Sequence, residues 1–384
     1  MKILYHHRTA SKDGQAVHIE EMITALRELG HEVVVAAPAG ADDHDFGDTN
    51  GWVDRIRAHL PKALYELLEL AYSFPAYRRL AALARKHRPD FIYERYNLNL
   101  LAGVWLKSRT GLPLLLEVNS PLAEERSRYG GLAFPGLARK IEAWIWRRAD
   151  RVLPVTNVLG DYLRRAGVAE ERIQVIPNGI NQAHFDAAPD NVSAKATLGL
   201  EGQTVLGFTG FVRDWHGIDR VIDWMGRHAK EDRIHLLVVG DGPVRGDLEN
   251  QAKRLGIADQ VTFTGLVHRD RVPEMVAAFD IALQPAVTHY ASPLKLFEYL
   301  ALGKAVVAPS EPNLMEVLQD GVNARLFDAK VPGAFETALD ELLAAPDLRA
   351  RLGAGARQSI IDQRLTWLEN ARRVTEMGQS LIKT

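Results

Sequence analysis

The segment richest in chemistry is Tyr290-Ala291-Ser292-Pro293-Leu294-Lys295-Leu296-Phe297-Glu298-Tyr299-Leu300-Ala301-Leu302-Gly303. Ser292 and Pro293 read as the N-cap and first position of a helix, and Gly303 as its C-terminal end. Lys295 then falls in the first turn. A cation there opposes the positive end of the helix dipole, at a cost of up to ~1 kcal/mol that an anion docking at the exposed N–H groups would remove. That chemistry is phosphate binding. Glu298 interrupts the apolar run Leu294, Leu296, Phe297, Leu300 and Leu302, and a carboxylate on a buried helix needs partners, such as ligand hydroxyls. An i,i+3 ion pair of Lys295 with Glu298, worth ~0.3 kcal/mol, would account for the same two residues without a ligand.

A second segment, Leu206-Gly207-Phe208-Thr209-Gly210-Phe211-Val212-Arg213-Asp214-Trp215-His216-Gly217, is a strand running into a glycine-bearing loop before a helix. Such loops face the C-terminal edge of a parallel sheet, where ligands bind. Arg213 and His216 would place positive charge there; equally, they fit a solvated loop charge and a helix-start residue. Val238-Val239-Gly240-Asp241-Gly242-Pro243 is a strand followed by a tight turn, but Arg245 stands where a dinucleotide fingerprint needs glycine. Gly303-Lys304 is followed by Ala305, so the P-loop pattern is missing too. At the first strand's end, His6 and His7, and Gly14 with His18, either mark another ligand-binding sheet edge or merely finish a core strand. Asp42-Asp43-His44-Asp45 is the densest group of metal-ligand types, and its Ala-Gly-Ala surroundings make it a solvated loop; no metal is expected.

These residues need strands and helices to hold them. Lys2–His6, Glu32–Ala37, Phe91–Tyr93, Leu114–Val118, Arg151–Val155 and Gln174–Ile176 read as strands, with an amphipathic helix over Val17–Leu29 ending at Gly30. A second series, Thr204–Thr209, His235–Val239, Val261–Thr264, Ile281–Gln284 and Ala305–Ala308, follows a polar stretch read as a linker over residues 178–200. Short apolar strands alternating with helical patterns imply parallel α/β units. Two are expected: an N-terminal one over residues 1–180 and a C-terminal one over residues 181–384. The helical tail from Pro346 either caps the second unit or crosses back to the first.

Composition narrows the function. The 384 residues carry 47 Lys plus Arg against 49 Asp plus Glu, a net charge of −2 that offers no field for gathering nucleic acid. The absence of cysteine excludes disulfides, thiolate zinc sites and a cysteine nucleophile. Met1-Lys2-Ile3-Leu4-Tyr5-His6-His7-Arg8 is charged too early for a secretory leader, so a cytoplasmic location is expected. Even the Leu-rich segment from Leu60 to Leu70 carries Lys62, Glu66 and Glu69, too many charges for a spanning helix. Charge is nonetheless uneven. Trp52–Pro89 holds eight Lys or Arg against three acids, with Trp52, Tyr65, Tyr72, Phe74 and Tyr77 interleaved, and Arg139, Lys140, Trp144, Trp146, Arg147 and Arg148 form a second such stretch. These fit either a surface facing anionic lipid at the inner face of the cell membrane or amphipathic helices with solvated basic faces.

Taken together, the motifs resemble family 4 glycosyltransferases of the GT-B fold. The carriers are Ile176-Pro177-Asn178-Gly179-Ile180-Asn181 with Phe185, Gly210 through Gly217, Val239-Gly240-Asp241-Gly242-Pro243, Val261-Thr262-Phe263-Thr264-Gly265, and Ser292 through Gly303 into Lys304-Ala305-Val306-Val307-Ala308. The resemblance implies two Rossmann-like domains facing a central cleft, the second binding a nucleotide sugar and the first an acceptor. It also implies metal-free sugar transfer with retention of configuration, and no cofactor beyond the sugar nucleotide.

By position, Glu298 would bind the ribose hydroxyls, Leu294 and Lys295 the diphosphate, and Val267 and His268 the base. Gly14, Gly210, Gly240, His216, Tyr290 and Ser292 complete the donor set, Arg213, Lys295 and Asn119 the catalytic set, and Glu94 and His18 lie on the acceptor side. The chain departs from the family at Tyr290, Phe211, His216 and Asn119, where glutamate, arginine, lysine and histidine are usual. Arg213 is the candidate to supply the missing charge, and His216 would assist if protonated. The acceptor expected is a glycan or lipid-linked molecule in envelope polysaccharide or glycolipid synthesis. A sugar-nucleotide epimerase of the same fold, or a two-lobed sugar-binding protein, are the alternatives.

Overall fold

A computed structural model describes residues 1–9, 14–38, 60–128 and 131–382. The chain divides into two compact units. The first comprises Met1–Pro177, Tyr290–Ser292 and Trp367–Thr384, the second Asn178–His289 and Pro293–Thr366. Asp42–Asp45 and the Trp52–Arg57 part of the first basic stretch lie outside the described residues.

The first unit holds a five-stranded sheet of β1 (Lys2–His6), β2 (Glu32–Ala36), β3 (Phe91–Arg95), β4 (Leu114–Val118) and β5 (Arg151–Pro154), in the order β2-β1-β3-β4-β5. All four pairings are parallel. Helices cover both faces of such a sheet, so its strands are apolar without alternation. Ile3, Leu4, Phe91, Ile92 and Leu114 through Leu116 are fully buried, each contributing about 1.5–3 kcal/mol. Gln174–Ile176 forms no named strand. Val152 bridges Ile173, and the Gln174 and Ile176 N–H groups donate to β5 carbonyls, but Pro177 has no N–H with which to extend the ladder. The tail crosses back: the helix Trp367–Ile382 packs along the helix Gly14–Glu28.

The second unit's six strands, β6 (Thr204–Thr209), β7 (Ile234–Val239), β8 (Val261–Phe263), β9 (Ile281–Leu283), β10 (Ala305–Pro309) and β11 (Arg325–Phe327), run β11-β10-β9-β6-β7-β8, again all parallel. The strand β11 has too few apolar residues to register as a period. The stretch read as a linker is folded into this unit. It forms the helices Gln182–Asp186 and Asn191–Leu198, the latter capped by Asp190. Asn191 donates to the Ala277 and Phe279 carbonyls, and Lys195 pairs with Asp280 at 2.6 Å. Its polar residues serve caps and tertiary bonds.

Candidate active site

In the second unit, the ends of β6 and β7 approach so closely that only glycine fits. Gly240 has φ +142°, and a Cβ there would lie 2.2 Å from the Gly210 carbonyl oxygen. The turns are zipped by Gly210 N–H to Val239 O at 2.9 Å and Val212 N–H to Asp241 O at 2.8 Å. Beside them stands the helix Leu294–Ala301, anchored by the Thr209 N–H donating to the Tyr299 hydroxyl at 2.9 Å. This helix begins one residue later than expected. Pro293 is the N-cap, with extended backbone and no capping side chain, and Ser292 belongs to the first unit. The Leu294 and Lys295 N–H groups have no intrahelical acceptor by position.

Lys295 turns its ammonium over the Phe208 ring, 3.6 Å from the centroid, and against the bare face of Gly210. Burial pushes its pKa down to about 7, with Glu298 opposing the shift. Burial likewise pushes Glu298 up to about 7, against the nearby charges of Lys295 and Arg269. Among the described residues no ion pair joins Lys295 to Glu298, and Glu298 Oε2 is buried without a hydrogen-bond partner. The simple ion pair is therefore not what this helix holds. A buried acceptor left open costs about 1–3 kcal/mol, a penalty that a ligand's hydroxyl would remove.

The neighbouring loop corrects one expectation. His216 Nδ1 accepts the Arg213 N–H at 3.0 Å, and burial, Lys295 and Arg213 push the imidazole down to about 3. His216 is a neutral residue at physiological pH and supplies no charge. Arg213 is exposed, its guanidinium 4.7 Å from the Phe211 ring and 5.5 Å from the Trp215 ring. Val267 is half-buried against the core, while His268 projects outward beside Asp270 at 3.3 Å.

The other expected residues lie in the first unit. Gly14 is exposed at the start of the helix Gly14–Glu28. Tyr290 is nearly buried: its hydroxyl donates to Glu125 at 3.0 Å, and its carbonyl accepts the Thr156 hydroxyl at 2.9 Å. Its side chain is committed to that unit's packing. At the C-terminal edge of the sheet, His6 meets Glu94 at 2.5 Å, with the Glu94 carboxylate filling the space a side chain at Gly103 would need. Asn119 donates through Nδ2 to Glu117 at 2.5 Å, and His18 Nε2 stands 3.0 Å from the same carboxylate.

Sequence reasoning missed the hub of this network. Glu117 is buried and also accepts the Tyr93 hydroxyl at 2.7 Å and an Arg95 N–H. Burial would raise its pKa; His18, Arg95 and the Tyr93 hydrogen bond outweigh that and hold the carboxyl well below the usual carboxylate range. The available signal was a glutamate inside an otherwise apolar parallel strand. Phe208 and Tyr299 were missed as well, because aromatic residues in apolar runs read as core.

Comparison with known proteins agrees with this division. Residues 12–184 match the model described as Glycosyltransferase Family 4, and residues 193–359 the one described as Glycosyl transferases group 1. The 2-deoxystreptamine glucosyltransferase of Streptomyces kanamyceticus is 30% identical over 289 residues, 71% of this chain and 74% of that one. The alpha-monoglucosyldiacylglycerol synthase of Streptococcus pneumoniae is 25% identical over 348 residues, 87% of this chain and 76% of its own. Among solved structures, Anabaena Alr3699/HepE in complex with UDP superposes with a TM-score of 0.76 at 19% identity, covering 99% of this chain and 100% of that one. Two parallel-sheet units, each matched by its own family model and spanned by relatives of that length, leave one reading: this chain belongs to glycosyltransferase family 4, has the GT-B fold, and is a glycosyltransferase.

Proposed function

We propose that the protein transfers a sugar from a nucleoside-diphosphate sugar to a hydroxyl of a lipid-linked or polyol acceptor, with retention of configuration and without a metal or other cofactor. The observation that carries the donor half is Glu298 Oε2, buried without a hydrogen-bond partner one turn from Lys295, which makes no ion pair among the described residues. A carboxylate suits the two hydroxyls of a ribose, and Lys295 with the free N–H groups at its helix start suits a diphosphate. Bond breaking leaves negative charge on the β-phosphate, so Lys295 and Arg213 act by stabilising that charge. His216, neutral, orients the loop through Nδ1.

The bond from C1 to the departing phosphate oxygen breaks, the acceptor oxygen bonds to C1 on the same face, and the acceptor proton passes to a departing phosphate oxygen. On the acceptor side, Glu117 holds the Asn119 amide nitrogen, which leaves the side-chain carbonyl oxygen as the atom available to a hydroxyl. The acceptor class rests on the relatives' names, which include a diacylglycerol glycoside synthase and a D-inositol 3-phosphate glycosyltransferase. Envelope glycolipid or polysaccharide synthesis at the cytoplasmic side fits both.

The test is a panel of UDP-, GDP- and ADP-sugars. A donor should raise the melting temperature with its concentration, and acceptor-dependent release of the nucleoside diphosphate should persist in EDTA, with the product's anomeric configuration read by NMR. Acceptor-independent appearance of an isomerised sugar nucleotide would instead mean an epimerase, and inversion would refute retention.

A further inference from the structure

One helix of the first unit faces the wrong way for a soluble protein. In Lys62–Ala71 the buried residues are the two glutamates, Glu66 and Glu69, while Leu64, Leu67 and Leu68 are exposed, Leu67 at 55%. The inversion is held in place by specific partners. Glu66 accepts the N–H groups of Ala133 and Phe134, and Glu69 pairs with Arg126 at 2.8 Å and approaches Arg8 at 3.9 Å. These are the charges that exclude a spanning helix in the sequence; folded, they leave the outer face apolar.

The stripe continues. Tyr72 keeps helical backbone between Lys62–Ala71 and the helix Ser73–His87, and the exposed positions 64, 67, 68, 71, 74, 75 and 78 recur at helical spacing. They include Phe74, exposed at 64%, and end in Arg78, with Arg85 two turns further on the same face. Phe134, held against this helix through Glu66, and Leu137 add two more exposed apolar side chains, followed at once by exposed Arg139 and Lys140. Soluble surfaces scatter such residues singly; a contiguous apolar stripe edged by one sign of charge marks an interaction surface.

We propose that this stripe docks the first unit onto an anionic lipid bilayer, with Leu64, Leu67, Leu68, Phe74, Phe134 and Leu137 entering the acyl boundary and Arg78, Arg85, Arg139 and Lys140 meeting the headgroups. The charge pattern selects the occupant. An apolar strip flanked by cations complements a surface whose interior is hydrocarbon and whose rim is negative. The helix lies on the bilayer; no helix among the described residues is long and apolar enough to cross one. The inference is independent of the donor-site reading, since none of these residues belongs to that site.

Full-length protein is to be sedimented with vesicles of phosphatidylglycerol and phosphatidylcholine, and with phosphatidylcholine alone, at low and high salt. Bound fraction should be highest on anionic vesicles at low salt and fall as salt screens the headgroups. The triple variant Leu64→Ser, Leu67→Ser, Leu68→Ser should bind at least tenfold more weakly, with an unchanged circular dichroism spectrum and melting temperature because the three side chains are exposed. Wild type that stays in the supernatant at low salt overturns the proposal, as does a triple variant that sediments like wild type or equal binding to neutral vesicles. A wild-type dimer that the triple variant dissociates, with no vesicle binding by either, also overturns it and assigns the stripe to a second copy.

Discussion

Each unit places a glutamate with a buried carboxylate oxygen near a cation, and the two are treated in opposite ways. In the first unit, Glu117 is saturated by Tyr93, Arg95 and Asn119, with His18 beside it. In the second, Glu298 has one oxygen with no partner and a lysine that does not reach it. A satisfied network fixes positions; an unsatisfied one is a place where a ligand completes the bonding. The contrast separates scaffolding from binding without reference to motif.

The largest effect should come from breaking the saturated carboxylate. Glu117→Ala strands Arg95 beneath the sheet edge, and loss of one partner of a buried pair costs about 3–5 kcal/mol; urea unfolding followed by a probe in the first unit would show it. A loss under about 1 kcal/mol would mean the network is not the scaffold described. Next, Lys295→Ala should lower turnover at saturating donor by ~10²–10³-fold, the range for removing one charge-stabilising donor, while acceptor KM stays within about threefold. Unchanged turnover would remove Lys295 from that role.

A third effect follows from protonation. Burial pushes the Lys295 pKa down to about 7, and a bound diphosphate favours the charged form, so the pKa rises on binding. Nucleoside-diphosphate affinity should therefore fall by up to ~tenfold per pH unit above 7, with proton uptake on binding. Calorimetry at pH 8 in buffers of different ionisation enthalpy measures that uptake, and Lys295→Ala should abolish it. The smallest effect sharpens the contrast from the other side: Glu298→Gln should change unfolding stability by less than about 1 kcal/mol, because no partner is lost. A loss as large as that of Glu117→Ala would erase the distinction between the two carboxylates.

Much of this was legible in the residues, and the gaps have physical reasons. Thr204–Thr209 and Leu114–Val118 were readable to the residue, because strands buried on both faces are predominantly apolar and do not alternate. Gln174–Ile176 was overread, since an extended, hydrogen-bonded segment before a proline looks like a strand locally. Lys295 and Glu298 stood out as charges on an apolar helix. Glu117 drew no comment, although it breaks an apolar strand in the same way, because its partners lie up to about 100 positions away in the chain. His216 was misjudged for a related reason: its protonation depends on burial and on Lys295, which only folding brings near. The Glu66 and Glu69 carboxylates were seen as interruptions, and which way a helix faces is decided by what the other elements offer it.

The account stands most directly on whether the open carboxylate of the second unit is a nucleotide contact. Titrating UDP, then GDP, into wild type and Glu298→Gln at pH 7 by calorimetry tests this. Wild type should bind at least one of the two at a single site, and the variant should bind it at least tenfold more weakly. Failure of wild type to bind either nucleotide, or equal affinity in the variant, would contradict it.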